Sequence, residues 1–351
     1  MRNMRFLAEW EESEGVLLAL PDEHTDWNHI LEEALMQYRL LINAVCLNSD
    51  VKVLLVCKDR HMAEERLGEI AGYENLVLVE TDYNDTWTRD YGPLCVENIG
   101  KGGELRLLDF GFNAWGLKFA SDKDNLVNLR LSEQGIFSKA SYRNNRDFTL
   151  EGGSVETDGH GTVLTTTRCL CSPNRNGGKS KEEAARMLQA RLGADHVLWL
   201  DYGALEGDDT DSHIDTLARM APDDTIIFTG CRDMDDPHFE ELLKMRAQLE
   251  MLRTADGNRF NLVELPLPDP VYDPEDGSRL PATYSNYLVL NDTIFMPTYA
   301  CPEKDILACH TVKIAFPNHT VVPVDCRTLL RQHGSLHCAT MQIPKGILNI
   351  V

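Results

Sequence analysis

The sequence is short of positive charge. It has 34 lysine and arginine residues against 56 aspartate and glutamate residues, which gives a net charge of −22. Nucleic-acid phosphates need a basic face, so this balance argues against a nucleic-acid partner and favours cationic ligands. The chain also lacks an apolar run long enough to cross a bilayer, and its first residues lack the apolar core of a signal peptide. We therefore expect a cytoplasmic protein with no membrane partner.

Familiar metal-binding patterns are missing too. The sequence has no Cys-x-x-Cys, no His-Glu-x-x-His, and no Asp-x-Asp-x-Asp-Gly calcium loop with a glutamate at its twelfth position. The ten cysteines are scattered, several of them beside apolar strand-like segments, a pattern typical of reduced thiols rather than of a disulfide framework. We expect neither a metal nor an organic cofactor.

A repeat is present along the chain. The segments 161–169, 224–231 and 292–301 each have a polar turn, then a threonine, then a β-branched run, and the threonines stand at 162, 225 and 293. An apolar stretch precedes each segment, which predicts a β-hairpin. An amphipathic pattern follows at 181–192, 239–252 and 303–312, and then a short strand. The repeating unit is therefore β-β-α-β, about 65 residues long.

A chain of 351 residues holds about five such units, although the first two are blurred. We expect an α/β fold in which five units form a ring, with a site at the centre where loops from every unit meet. Residues 1–351 would then be one catalytic domain. Two separate α/β domains are the alternative, because length alone favours two.

The densest polar segment is 207–215, which places Asp208, Asp209, Asp211 and Asp215 around His213 with no lysine or arginine among them. Such a cluster is costly unless something cationic binds there. If 212–217 form an extended strand, the side chains of His213 and Asp215 share one face. A solvated surface pair and a divalent-metal site remain alternatives, but we favour a cationic organic substrate.

The segment 84–93 is the second candidate. Trp87 and Asp90 are three residues apart, so a helical turn or tight loop would bring them together. An exposed tryptophan beside a carboxylate would receive a cation. We expect Arg89 to be structural, paired with Asp85 or Asp90.

Two further segments contain candidate residues. Glu151 precedes two glycines that permit close backbone approach or a positive φ. Cys338 is a candidate nucleophile near the end of the chain, although a buried cysteine often serves only as a small apolar side chain.

Six motifs in order resemble the agmatine deiminase and bacterial peptidylarginine deiminase family of guanidino-group-modifying enzymes. They are Asn-Asp-x-Trp-x-Arg-Asp-x-Gly-Pro (84–93), Phe-Asn-Ala-Trp-Gly (112–116), Glu-Gly-Gly-Ser (151–154), Asp-Asp-Thr-Asp-x-His-x-Asp (208–215), Leu-Pro-Ala-Thr-Tyr-x-Asn (280–286) and His-Cys-x-Thr-x-Gln (337–342). The resemblance covers nearly the whole chain. It implies the pentein fold, a pseudo-symmetric five-bladed ββαβ propeller, which agrees with the repeat.

The resemblance also implies roles for individual residues. These are a nucleophile (Cys338), a general acid/base (His213), two carboxylates that hold a guanidinium (Asp90 and Asp215) and a further carboxylate in the same site (Glu151). The implied reaction is hydrolysis of agmatine to N-carbamoylputrescine and ammonia through an amidino-cysteine, as in putrescine biosynthesis.

The resemblance places Trp87 and Asp209 near the far end of the substrate. Two departures from the family pattern lie near the pocket: residues 333–336 read His-Gly-Ser-Leu where a glycine-rich stretch is usual, and Ser212 stands where asparagine or glycine is usual. Arginine or peptidyl-arginine is therefore an alternative substrate. A metal-dependent hydrolase and a non-catalytic binding propeller are further alternatives. The expected partner is a small cationic guanidino compound, and assembly into a homo-oligomer stays open.

Overall fold

The structure is a computed structural model that describes residues 4–138 and 141–349. The strands in these ranges are β1 (Arg5–Phe6), β2 (Ser13–Ala19), β3 (Lys52–Cys57), β4 (Leu76–Glu80), β5 (Leu94–Asn98), β6 (Glu104–Gly111), β7 (Tyr142–Thr149), β8 (Val155–Thr157), β9 (Thr162–Thr166), β10 (His196–Leu200), β11 (Ala218–Ala221), β12 (Thr225–Gly230), β13 (Asn261–Pro266), β14 (Leu288–Leu290), β15 (Thr293–Thr298), β16 (Thr320–Asp325) and β17 (Met341–Pro344). The α-helices are α1 (Leu31–Asn48), α2 (Arg60–Leu67), α3 (Thr88–Tyr91), α4 (Ala114–Leu117), α5 (Val127–Glu133), α6 (Thr167–Leu170), α7 (Lys181–Leu192), α8 (Phe239–Met251), α9 (Pro302–Val312) and α10 (Arg327–Leu330). Short 3-10 helices cover Asp26–Ile30, Gly68–Gly72, Ile99–Lys101, Asp124–Leu126, Gly152–Ser154 and Ile214–Thr216.

The described strands form five mixed sheets that share one pairing pattern. In each sheet an antiparallel pair is followed by a parallel strand, as in β8-β9-β10, β11-β12-β13 and β14-β15-β16. A helix connects the two parallel strands, for example α7 between β9 and β10. The three hairpins expected from the sequence are therefore present, each within its β-β-α-β unit.

One unit is assembled from both ends of the chain. Its first strand is β17, which pairs antiparallel with β2 and places Met341 opposite Leu17, while β3 pairs parallel with β2. The sequence near residue 1 thus lacks the first strand of its own unit. This explains why the repeat is blurred there.

The helices begin and end close to where their patterns predict. α7 spans the predicted 181–192, and its N-terminus has a capping box, in which the Ser180 hydroxyl accepts from the Glu183 amide and the Glu183 carboxylate accepts from the Ser180 amide. β9 and β12 are buried along their whole length, which is typical of central strands with both faces covered. Within the described residues, none of the helices combines the length and apolar character needed to cross a bilayer.

The prediction of an extended strand at residues 212–217 is wrong. Asp211 and Ser212 have φ values of 66° and 64°, residues Ile214–Thr216 form a 3-10 helix, and β11 begins only at Ala218. The Asp208 carboxylate causes this turn, because it accepts hydrogen bonds from the amides of Thr210 (3.0 Å) and Ser212 (2.6 Å). Strand alternation therefore does not place His213 and Asp215.

Candidate active site

Three chain segments meet at Gly153. A methyl group on Gly153 would lie 2.7 Å from His213 Nδ1, 2.9 Å from Asp215 Oδ2 and 2.9 Å from Asp90 Oδ1. The Gly153 amide itself donates to Asp90 Oδ1 at 3.0 Å. Glycine is therefore required here for close approach, which was one of the two reasons expected from the sequence. The three side chains that the sequence singled out converge on one point.

Asp90 is fixed by two donors. It lies in the single helical turn α3, and besides the Gly153 amide its carboxylate accepts from the indole Nε1 of Trp115 at 2.9 Å. Trp115 sits in α4, where Ala114, Trp115 and Leu117 all have positive φ values. Burial raises the pKa of Asp90 to about 6, partly opposed by the nearby His213.

His213 is buried between carboxylates without a close hydrogen bond. Its Nδ1 lies 3.5 Å from Asp90 Oδ1 and its Nε2 lies 3.6 Å from Glu151 Oε2, and neither ring nitrogen has a hydrogen-bond partner among the described residues. Burial opposes the charged ring, but Asp90, Cys169 and Glu151 outweigh it and hold the pKa of His213 well above its usual value. The ring can therefore supply a proton at neutral pH.

Arg175 corrects the expectation that the acidic cluster has no neutralising residue. The Arg175 side chain is fully buried, and its Nε donates to both carboxylate oxygens of Glu151 at 2.8 Å. Its other nitrogens donate to Asp211 Oδ2 at 2.5 Å and to the Thr210 carbonyl at 3.0 Å. The pKa of Glu151 is lowered: burial would raise it, but His213 and Arg175 outweigh that effect.

A second cation, Lys118, pairs with the same acidic segment. Lys118 Nζ donates to Asp211 Oδ1 at 3.1 Å and also to the backbone carbonyl of Asp209. The Asp211 carboxylate is thus paired with both Arg175 and Lys118. Asp209 is half-buried, and its carboxyl group has a raised pKa because of burial and the neighbouring Asp208.

Cys338 lies in a turn just before β17 and is 7% exposed. The Asn286 side-chain oxygen organises this turn: it accepts from the amides of His337 (2.9 Å) and Cys338 (3.3 Å), and it lies 3.4 Å from Cys338 Sγ. Burial, together with Asp215 and Asp90, raises the pKa of the Cys338 thiol well above its usual value. In the absence of a cationic ligand the thiol therefore stays protonated.

Asp215 is completely buried and is held through His337, the neighbour of Cys338. His337 Nδ1 lies 2.7 Å from Asp215 Oδ2, and its Nε2 lies 2.7 Å from Glu9 Oε2. Burial would raise the pKa of Asp215, but His337 and His213 outweigh it, so the pKa is lowered. Asp215 Oδ1 has no partner and is free to accept from a ligand.

Arg89 is structural, as expected, but its partner is not Asp85 or Asp90. Its guanidinium lies 3.9 Å from Glu9, and its Nε donates to the His337 carbonyl at 3.3 Å. Glu9 is distant in sequence, so local spacing could not identify it.

Trp87 is buried, not exposed as expected. Its ring packs against Trp27, with centroids 5.6 Å apart, and a methyl group on Gly334 would come within 2.3 Å of it. Gly334 is the glycine that remains in the altered 333–336 segment, so this close contact explains why one glycine stays there. At the other departure, the Ser212 hydroxyl is buried without a partner.

Five residues that position the site were given no role by sequence reasoning: Trp115, Lys118, Arg175, Asn286 and His337. Trp115, Asn286 and His337 belong to motifs already noted, so motif membership was the available signal. Arg175 had none, because the loop that carries it follows no pattern and its partners are 24 and 36 residues away.

Residues 5–344 match the family described as Porphyromonas-type peptidyl-arginine deiminase. The chain belongs to this family.

Several individual proteins are similar to this chain over almost its whole length. The chain is 33% identical to the agmatine deiminase of Pseudomonas aeruginosa, with 97% of this chain and 95% of the relative covered. It is 38% identical to a cysteine-to-serine variant of C. jejuni agmatine deiminase solved with substrate bound, with a TM-score of 0.88 and 98% and 97% of the two chains covered. A structure provisionally named a peptidyl-arginine deiminase is 41% identical, with a TM-score of 0.92 and coverage of 99% and 100%.

Proposed function

We propose that this protein hydrolyses agmatine to N-carbamoylputrescine and ammonia, the reaction that serves putrescine biosynthesis. The observation that carries the proposal is the convergence of Asp90, Asp215 and His213 on Gly153, in a buried site that also contains Cys338. The agmatine deiminases among its relatives support it. In this proposal residues 1–351 are one catalytic domain, and the five sheets are the blades of a propeller around the site.

Asp90 and Asp215 bind the guanidinium of the substrate. A guanidinium offers five N–H donors in a planar fork, which two carboxylates can accept by charge-assisted hydrogen bonds. Asp90, with a pKa of about 6, is mostly ionised at neutral pH, and Asp215 has an oxygen without a partner. The substrate cation stabilises both carboxylates and is oriented by them.

Cys338 attacks the guanidinium carbon. The carboxylates that raise the thiol pKa are neutralised when the substrate binds, so substrate binding itself favours the thiolate, and the thiol proton is released to solvent because His213 is already charged. A C–S bond forms, and the tetrahedral adduct receives a proton from His213 at the departing nitrogen. Ammonia leaves, the amidino group remains on Cys338, and His213 becomes neutral.

His213 then takes a proton from water, which attacks the amidino carbon. The C–S bond breaks, the ureido product leaves, and the Cys338 thiol is restored. Glu151 lies 3.6 Å from His213 Nε2 and stabilises its charged form. Arg175 fixes Glu151 by donating to both of its oxygens, so Arg175 acts as a positioning residue.

The far end of the substrate is an amine in this proposal. Asp209 presents a half-buried carboxylate to it, and Trp87 bounds the same region. Lys118 is a basic residue close by, but it is occupied by Asp211 and by the Asp209 carbonyl. An α-carboxylate would meet Asp209 without a free cation, so agmatine is preferred over arginine by at least about a hundredfold in kcat/KM.

The test is ammonia release from agmatine, arginine and peptides ending in arginine, with and without a chelator. We expect agmatine turnover that is insensitive to the chelator and is abolished by Cys338→Ser. The matched control is Cys326→Ser, a buried cysteine in the turn that follows β16, which leaves turnover unchanged. Comparable rates on arginine contradict the amine assignment, and loss of turnover with the chelator favours a metal-dependent hydrolase.

We propose a cytoplasmic setting for the enzyme. All ten cysteines are free. This supports a cytoplasmic location, where thiols are kept reduced. A homo-oligomer stays a prediction.

A further inference from the structure

Cys169 is a buried thiol beside His213 that the proposed reaction does not use. It is 0% exposed and belongs to α6, the short helix that follows β9. Its Sγ lies 3.8 Å from Glu151 Oε2, the same oxygen that lies 3.6 Å from His213 Nε2. One atom from each of the three residues lies within 4.8 Å of the other two.

These distances are close to those of a tetrahedral metal site. With ligands at about 2.0–2.3 Å from zinc, neighbouring ligand atoms are about 3.4–3.6 Å apart. The 3.6 Å between Glu151 and His213 lies within that range, and the 3.8 Å between Cys169 and Glu151 exceeds it by about 0.2 Å, so Glu151 needs little movement toward either partner. Thiolate, imidazole and carboxylate are also the ligand types that zinc selects.

His213 supplies independent support, because its ring is 1% exposed and neither nitrogen has a hydrogen-bond partner. A second cluster, formed by Glu9, Glu156 and His337, shows the contrast. There both His337 nitrogens are within 2.7 Å of carboxylate oxygens, and Arg219 donates to both Glu9 and Glu156. An arginine pairs with a carboxylate in both clusters, because Arg175 donates to Glu151. The difference lies in the histidine: both His337 nitrogens have carboxylate partners, whereas His213 Nε2 has no hydrogen-bond partner among the described residues.

We propose that Glu151, Cys169 and His213 form an inhibitory site for zinc or a similar soft divalent cation. Binding forms a metal–sulfur bond and a bond to His213 Nε2. It releases two protons to solvent, the Cys169 thiol proton and the proton of the charged His213 ring, and the fourth coordination position is left to water. The metal holds His213 Nε2, so the ring can neither protonate ammonia nor activate water.

Metal binding does not depend on the proposed function, whereas the inhibition rests on it. The first experiment therefore measures binding alone. Co²⁺ is titrated into the Cys338→Ser variant, which lacks the proposed nucleophile, and thiolate-to-cobalt charge-transfer absorption is recorded. We expect this absorption in Cys338→Ser and in Cys338→Ser with Cys171→Ser, and its loss in Cys338→Ser with Cys169→Ser.

Cys171 is the matched control because it is half-buried and only two residues from Cys169. Thermal unfolding of each variant checks that it is folded, and Cys169→Ala replaces Cys169→Ser if the serine variant is not. Absence of the cobalt absorption in Cys338→Ser overturns the site, whatever the enzyme's substrate is.

The second experiment measures Zn²⁺ inhibition of agmatine turnover. We expect inhibition of the wild type, and an inhibition constant raised by at least about tenfold in Cys169→Ser but unchanged in Cys171→Ser. Equal inhibition of the wild type and Cys169→Ser overturns the proposal, as does activation by Zn²⁺. If no guanidine is turned over, the proposed function fails while the cobalt result still decides the metal site.

Discussion

Replacing Gly153 by alanine tests the geometry of the site without removing any functional group. The new methyl group would lie 2.7–2.9 Å from atoms of His213, Asp215 and Asp90, where ordinary contacts are 3.4–4 Å. Each atom must therefore retreat by at least about 0.5–0.7 Å, beyond the roughly 0.5 Å tolerance of catalytic groups. A displacement near 1 Å costs about 10²-fold, so we expect kcat/KM for agmatine to fall by about that factor.

The same change should cost little stability. Overpacking of a close-packed region costs about 1–3 kcal/mol, which lowers the Tm by a few degrees in a protein of this size. Gly72→Ala is the matched control, because a methyl group there meets nothing within 4 Å and its φ is not positive. Both variants are assayed for ammonia release and for thermal unfolding. A folded Gly153→Ala enzyme with kcat/KM within about twofold of the wild type would refute the convergence.

Three other predictions follow from the contacts of the site. Arg175→Met should lower the free energy of unfolding by about 3–5 kcal/mol in urea titrations, because Glu151 loses its buried partner. Adding Glu151→Gln should restore part of the lost stability, and an unchanged stability of Arg175→Met would show that the ion pair is unimportant. In the wild type, kcat/KM should fall as the pH drops through about 6, because Asp90 is then protonated and can no longer bind a cation; an acid limb near the usual aspartate value of about 4 would contradict the raised pKa. Trp115→Phe should lower kcat/KM roughly 10- to 100-fold, because a donor to the Asp90 carboxylate is lost. The same loss should raise the pKa of Asp90 and so shift the acid limb of kcat/KM to higher pH; an acid limb at the wild-type pH argues against this role of Trp115.

Local patterns predicted most of the strands and helices. The repeated threonine runs and the amphipathic stretch at 181–192 are local signals, and β9, β12 and α7 lie where these signals predict them. The closure of one unit by β17 was not predicted, because it joins Met341 to Leu17, and no local signal reports such a contact.

The sequence predicted which residues belong to the site but not how they are arranged. His213 and Asp215 come together through a 3-10 turn imposed by Asp208, which strand alternation could not indicate. Arg175 was missed because an ion pair across 24 residues leaves no spacing signal. The burial of Trp87 likewise depends on Trp27, which lies far from it in the sequence.

Mass spectrometry of the enzyme quenched under denaturing conditions during agmatine turnover tests the central claim most directly. We predict an amidino adduct on the Cys338 peptide that disappears when the substrate is exhausted. Cys169 is the informative alternative, because it too is a buried thiol close to His213 and Glu151. An adduct on Cys169, or turnover of agmatine with Cys338 never modified, would contradict the account.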